Sequence, residues 1–190
     1  NSDYSIFWAE GASTTNEVLL LEHMLKNTDK EQKIYLLNQF LEAVRTTVYR
    51  QVQFAKFEKC IHEEISAGKT LVAKNLEELW LALNKKYYGK SLTLDRELSA
   101  EWSRIPHFYT PFYVYKYATG YSAATTFADL ILQNKSDAKE KYLHFLSSGG
   151  SDYSLTLLQK AGVDLNTPMP VEYTLKKFKE KLTELKTLLD

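Results

Sequence analysis

Apolar residues recur at three- and four-residue spacing along nearly the whole chain, and the period-two alternation of strands is almost absent. The first helix is predicted over about residues 4–26, with Ile6, Phe7, Leu19, Leu20, Leu21 and Met24 as its apolar positions and Asn27 as its stop. Thr28-Asp29 caps a second helix running to about Ser66. Its apolar positions are Ile34, Leu37, Leu41, Val44, Val48, Val52, Ala55 and Cys60, and Gly68 ends it. At a rise of 1.5 Å per residue such a helix is roughly 57 Å long, enough to brace a domain.

Asn75-Leu-Glu-Glu opens another helix that continues through Tyr88 and closes at Gly89. A short helix is expected over 95–102, and Pro111 precedes one over about 112–134. Segments 136–147, 152–161 and 170–189 complete the set, with a Gly149-Gly150-Ser151 turn and Pro168 and Pro170 as punctuation. The last helix is amphipathic: Leu175, Phe178, Leu182, Leu185 and Leu189 share one face and Lys and Glu the other. With no fixed-period repeat and no low-complexity segment, residues 1–190 read as one all-α domain.

Composition narrows the function classes. Lys plus Arg equals Asp plus Glu at 24 each, so the net charge is zero and nucleic acid is not expected as the main partner. No apolar run approaches the length of a membrane span. The single cysteine, Cys60, cannot form a disulfide within the chain and lies in a helical pattern, where it reads as a small buried hydrophobe. No signal peptide is visible, and a cytoplasmic location is expected. The chain opens on Asn1 and enters helix almost at once, which suggests a piece cut from a longer protein; removal of a leader would give the same start.

The densest candidate chemistry is Ile105-Pro-His-Phe-Tyr-Thr-Pro-Phe-Tyr-Val-Tyr-Lys-Tyr-Ala-Thr-Gly120. Imidazole and phenol both donate hydrogen bonds and can stabilise a developing oxyanion. If 112–134 is helical throughout, Tyr113, Tyr117 and Gly120 or Tyr121 share a face, and Tyr115 points elsewhere. An aromatic core stripe would account for the phenols equally well, except that His107 stands at their mouth.

Glu10 lies among Gly11, Ala12 and Ser13 and shares a helical face with Glu17, seven residues on. Such a carboxylate could bind a metal or act as a base, although a solvated helix face explains it as simply. His62 and His144 sit amid Glu and Lys and read as exposed, and His23 reads as structural. No His-Glu-x-x-His, Cys-x-x-Cys, Gly-x-Ser-x-Gly, phosphate loop or dinucleotide fingerprint occurs.

Five segments in order resemble the C-terminal part of the oligoendopeptidase F family, bacterial relatives of thimet oligopeptidase and neurolysin. They are Phe7-Trp-Ala-Glu-Gly-Ala-Ser-Thr-Thr-Asn-Glu17, Tyr49-Arg-Gln-Val-Gln-Phe-Ala-Lys-Phe-Glu58, Ile105-Pro-His-Phe-Tyr109, Phe112-Tyr-Val-Tyr-Lys-Tyr-Ala-Thr-Gly120 and Ala161-Gly-Val-Asp164. The resemblance covers nearly the whole chain. It implies a helical, zinc-dependent metalloendopeptidase that encloses short peptide substrates in a deep channel.

By the same resemblance, Glu10 falls on the third zinc ligand, and Glu17 on a nearby acidic position that would orient it. His107 and Tyr113 fall on residues that bind substrate and stabilise the tetrahedral oxyanion. Tyr117 is the alternative donor, with Tyr109 behind it. In that family the two zinc histidines and the catalytic glutamate lie on a His-Glu-x-x-His helix about 25–30 residues before the third ligand. This chain lacks the motif. The expectation is therefore an inactive C-terminal piece that needs the missing N-terminal part of the same protein. A non-catalytic helical peptide-binding module and a purely structural helical domain are the competing readings.

Overall fold

A computed structural model describes the backbone over residues 6–135 and 137–190 and the side chains from residue 11 onward, residue 136 apart. All regular structure among these residues is helical, as the spacing predicts. The elements are α1 (Ile6–Leu25), α2 (Lys30–Val44), a π turn (Arg45–Tyr49), α3 (Arg50–Ser66), α4 (Ala73–Tyr88), 3-10 helices Arg96–Arg104 and Pro106–Tyr109, α5 (Tyr115–Leu132), α6 (Ala138–Ser148), α7 (Ser154–Lys160) and α8 (Met169–Leu189). They pack as two compact units: residues up to Val48 with those from Lys116 onward, and Tyr49–Tyr115.

The helix ends follow local chemistry. Asp29 caps α2 by accepting from the Gln32 N–H at 2.9 Å. At the end of α3, Gly68 takes φ +80°, its N–H bonds the Ile65 carbonyl at 2.9 Å, and the Lys69 N–H bonds that of Glu64 at 3.1 Å. This double closure needs a left-handed residue, which glycine supplies without a Cβ penalty. Gly162 closes α7 the same way, at φ +96°.

Several boundaries differ from the sequence expectation. The helical stretch from Asp29 to Ser66 contains the π turn, which takes up an extra residue. Burial accordingly passes from Leu37, Phe40, Leu41, Val44 and Val48 to Gln53, Phe54, Phe57 and Glu58, while Val52 is exposed. Asn75 does not precede α4. It sits within the first turn, where its Oδ1 accepts from the Val72 N–H at 3.1 Å. The helix expected over 112–134 starts only at Tyr115. In α8 the buried positions are Pro170, Thr174 and Leu185, and Leu189 is exposed. The segments of the first and sixth expected helices at residues 4–5 and 136 lie outside the described residues.

The first unit surrounds α5. Every residue from Gly120 to Ala128 is buried, so no face of that stretch meets water. Small residues dominate it, and its hydroxyls turn back onto their own helix: Ser122 donates to the Ala118 carbonyl, Thr125 to Tyr121 and Thr126 to Ser122, each at 2.8 Å. Phe127 packs with Tyr142, Phe145, Leu157, Leu158, Ala161 and Val163 from α6, α7 and the turn after it. On another side, Thr15 of α1 donates to the Gly11 carbonyl at 2.5 Å and lies 3.5 Å from that of Ala124, while the Tyr142 hydroxyl donates to the Ala12 carbonyl at 3.2 Å. Ion pairs join α8 to its neighbours: Lys181 to Glu22 at 3.0 Å and Glu184 to Lys33 at 2.8 Å.

The second unit packs α3 and α4 with the 3-10 segments. Phe54, Phe57, Trp80, Leu83, Ile105 and Val114 form its core. Trp80 is fully buried and meets Phe57 edge-to-face at 5.0 Å.

Two outcomes follow for the first unit. Phe127→Ala removes a ring that is 1% exposed and is expected to cost about 3–5 kcal/mol, whereas Tyr153→Ala at an 85% exposed position should change stability by less than about 0.5 kcal/mol; urea midpoints measure both. Tyr121 is buried on α5, and that burial, reinforced by the Glu17 carboxylate, pushes its phenol well above the ordinary value of 10.0. A raised folded-state value means that the folded form holds its proton where the unfolded form has lost it. The Tyr121 contribution should therefore be constant below pH about 10 and be lost as pH rises further. Tyr121→Phe should flatten part of the alkaline decline in a pH series of urea melts.

Candidate active site

The second unit positions His107. Ile105, ahead of a proline, is held extended at φ −90°, ψ 104°, and its side chain is buried in the core. Pro106 then opens the 3-10 helix with its fixed φ. Phe108 turns inward onto Phe57, Phe54 and Trp80, at 5.3, 5.7 and 6.2 Å. Tyr109 turns outward and is 82% exposed. His107 is half-buried between them, and its carbonyl accepts from the Thr110 N–H at 3.0 Å.

The chain then reverses. Phe112 adopts φ +56°, a left-handed conformation rare for an aromatic residue and costing about 1–2 kcal/mol. Its N–H donates at 2.8 Å to Oε1 of Glu58, a carboxylate only 3% exposed on α3. Its ring lies 4.8 Å from that of His62. The following residue, Tyr113, stacks on His107 with centroids 5.4 Å apart and planes 17° from parallel. The structure thus brings an imidazole and a phenol into one ring stack. His107 lies in the short 3-10 helix and Tyr113 precedes α5, so the expected Tyr113–Tyr117 face does not form. The left-handed step at Phe112 is the physical reason, because it delays helix entry to Tyr115.

Charge anchors the segment leading into His107. Arg50 donates to Glu101 Oε1 at 2.6 Å and Arg104 to the same oxygen at 2.8 Å. Arg50 also reaches the Tyr88 hydroxyl at 3.4 Å and lies 4.8 Å over the Phe54 ring. Glu101 is nearly buried, and the two guanidinium partners offset the cost of burying a carboxylate there.

The remaining candidates belong to the first unit. Tyr117 is half-buried on α5, and Glu17 is exposed on α1. Glu10 lies on α1, but its side chain is outside the described residues. Among the described residues no group of three or more His, Cys, Asp and Glu side chains could hold a metal ion, so these side chains do not by themselves make a zinc site. Nor is any described helix long and apolar enough to cross a membrane. His144 and His23 are exposed. His62, expected exposed, is half-buried against Phe112.

Sequence reasoning missed Glu58 as a partner of this segment. The available signal was its place beside Phe57 and four residues after Phe54, on the buried stripe of α3.

The model of peptidase family M3 matches residues 1–177. Oligopeptidase PepF of Bacillus subtilis is 49% identical over 98% of this chain, which spans 28% of that relative. The oligoendopeptidase F homolog of Borreliella burgdorferi is 46% identical over 98% of this chain and 32% of its own length. The crystal structure of oligoendopeptidase-F from Enterococcus faecium superposes with a TM-score of 0.95 at 43% identity, covering 98% of this chain and 36% of that one. The chain thus spans about a third of these proteins or less, and on the strength of the family match it belongs to peptidase family M3.

Proposed function

We propose that this chain forms one part of the active site of a zinc metalloendopeptidase that hydrolyses short peptides. The stacked His107–Tyr113 pair carries the reading, because it gathers two hydrogen-bond donors on a rigidly anchored turn in a chain that belongs to a peptidase family. As the scissile carbonyl becomes tetrahedral, negative charge collects on its oxygen. Donors already fixed in place stabilise that charge without reorganising, and removing one typically costs about 10²–10³ in kcat. His107 and Tyr113 take this role here, with Tyr117 as the alternative donor. Tyr109, outward on the same turn as His107, contributes to the substrate wall.

Water activation is the chemistry that zinc supplies in such enzymes. This chain would contribute Glu10 as one ligand, oriented by Glu17, with the other ligands and the general base coming from a further segment of the same protein. The 190 residues contain no His-Glu-x-x-His, which supports the view that the chain alone is inactive and does not hold zinc tightly.

In the intact peptidase, assayed on a quenched fluorescent oligopeptide, His107→Ala and Tyr113→Phe should each lower kcat by about 10²–10³ with a much smaller change in KM. Glu10→Gln should release zinc and abolish turnover, while the 190-residue chain alone should show neither stoichiometric zinc nor hydrolysis. Normal turnover by the His107 and Tyr113 variants, or hydrolysis by the chain alone, overturns the reading.

A further inference from the structure

Glu58 poses a question that the proposed chemistry does not answer. It is a carboxylate 3% exposed on a helix whose neighbouring buried residues include Phe54 and Phe57. Burying such a group is costly unless hydrogen bonds compensate. Its hydrogen bond goes to a distant part of the chain: Oε1 accepts from the backbone N–H of Phe112 at 2.8 Å, 54 residues away. That residue holds the left-handed conformation, φ +56°. Strained backbone persists where surrounding groups over-determine it, and such outliers gather at functional sites. The next residue is Tyr113, the phenol stacked on His107.

Three independent features therefore meet at one point: a buried acceptor, an unfavourable turn, and the stacked donor pair. We propose that Glu58 is a positioning residue for the oxyanion donors. It holds the Phe112 turn in its left-handed form and so sets where Tyr113 stands against His107. The inference rests on the functional reading given above. The His62 ring packs against the same turn from the side of the Phe112 ring, with centroids 4.8 Å apart and planes tilted by 38°. An acceptor at this place is what the turn requires; the negative charge itself is secondary, so the amide oxygen of glutamine should largely substitute.

The test uses the intact peptidase. Glu58→Leu keeps comparable bulk and removes the acceptor, and should lower kcat about 10–100-fold with KM changed less than about threefold, the signature of a misplaced catalytic group. Glu58→Gln should stay within about threefold of the parent. In the leucine variant the ring-current shift of the His107 imidazole protons, read by NMR, should move toward its unstacked value; in the glutamine variant it should not. Adding Phe112→Gly to Glu58→Leu should bring back much of the lost turnover, because glycine adopts the left-handed form without an imposed acceptor. If Glu58→Leu fails to fold, the double variant Glu58→Ala with Phe112→Gly takes its place, and a folded but equally inactive double variant counts against the proposal.

A Glu58→Leu enzyme with normal kcat and an unchanged His107 shift overturns this inference alone, provided His107→Ala and Tyr113→Phe are impaired. If those two variants turn over normally, the functional reading falls, and the His107 shift still decides whether Glu58 sets the stack.

Discussion

The first unit is constrained by a stretch of helix that has no solvent face. From Gly120 to Ala128, α5 is buried on every side, which restricts its residues to those that let neighbouring helices approach closely. Serine and threonine fit that restriction only if their hydroxyls find acceptors, and they find them one turn back in the same helix. Large side chains are then displaced to particular places. Phe127 meets α6 and α7, and Tyr121 lies near enough to Glu17 of α1 to be raised by its charge. The Thr15 hydroxyl reaches the Ala124 carbonyl and ties α1 to this central helix, while the Tyr142 hydroxyl donates to the Ala12 carbonyl and ties α6 to α1.

The second unit follows a different logic. Its core is aromatic, with Trp80 at the centre of Phe54, Phe57 and Phe108, and its two buried carboxylates are used to hold irregular chain. Glu101 joins Arg50 and Arg104, so the 3-10 helix leading to His107 is fastened to α3. Glu58 holds the turn leading out of it. Irregular segments have few backbone hydrogen bonds of their own, and fixing one on both sides with side-chain acceptors gives a loop the rigidity that a helix has by default. A ring stack between His107 and Tyr113 is a reasonable product of that arrangement, because both residues leave anchored backbone.

Much of the helical plan was readable from spacing alone: Asp29 as a cap, Gly68, Gly89 and Gly149 as closures, and the class of the fold. Spacing failed where backbone departed from the α-helix without leaving a residue-type signal. The π turn at Arg45–Tyr49 contains no glycine or proline, yet it displaces burial from Val52 to Gln53 and Phe54. Phe112 is the opposite of a left-handed signal, and its conformation depends on Glu58, a contact 54 residues distant that no local pattern encodes. His107 was legible as a candidate because proline and tyrosines surround it. The family resemblance paired His107 with Tyr113 in function, but nothing in the sequence pointed to a ring stack, and Tyr113 stands before α5 rather than on its face.

The late entry into α5 divides the tyrosine-rich stretch. Tyr113 and Tyr117 are four residues apart, a spacing that on one helix would make them neighbours serving a single purpose. The left-handed step separates them into different kinds of structure. Tyr113 is held by a turn whose geometry is imposed by a distant carboxylate, while Tyr117 belongs to α5, in the unit whose constraint is close helix packing. Substitutions at the two positions are therefore answerable to different forces: at Tyr113 to the strain and anchoring of the turn, at Tyr117 to the packing of small residues that follow it. A donor that must be placed to within a fraction of an ångström is better served by the first situation, because the turn can be tuned without repacking a core. On that physical ground the proposed donor role beside His107 fits Tyr113 better than Tyr117.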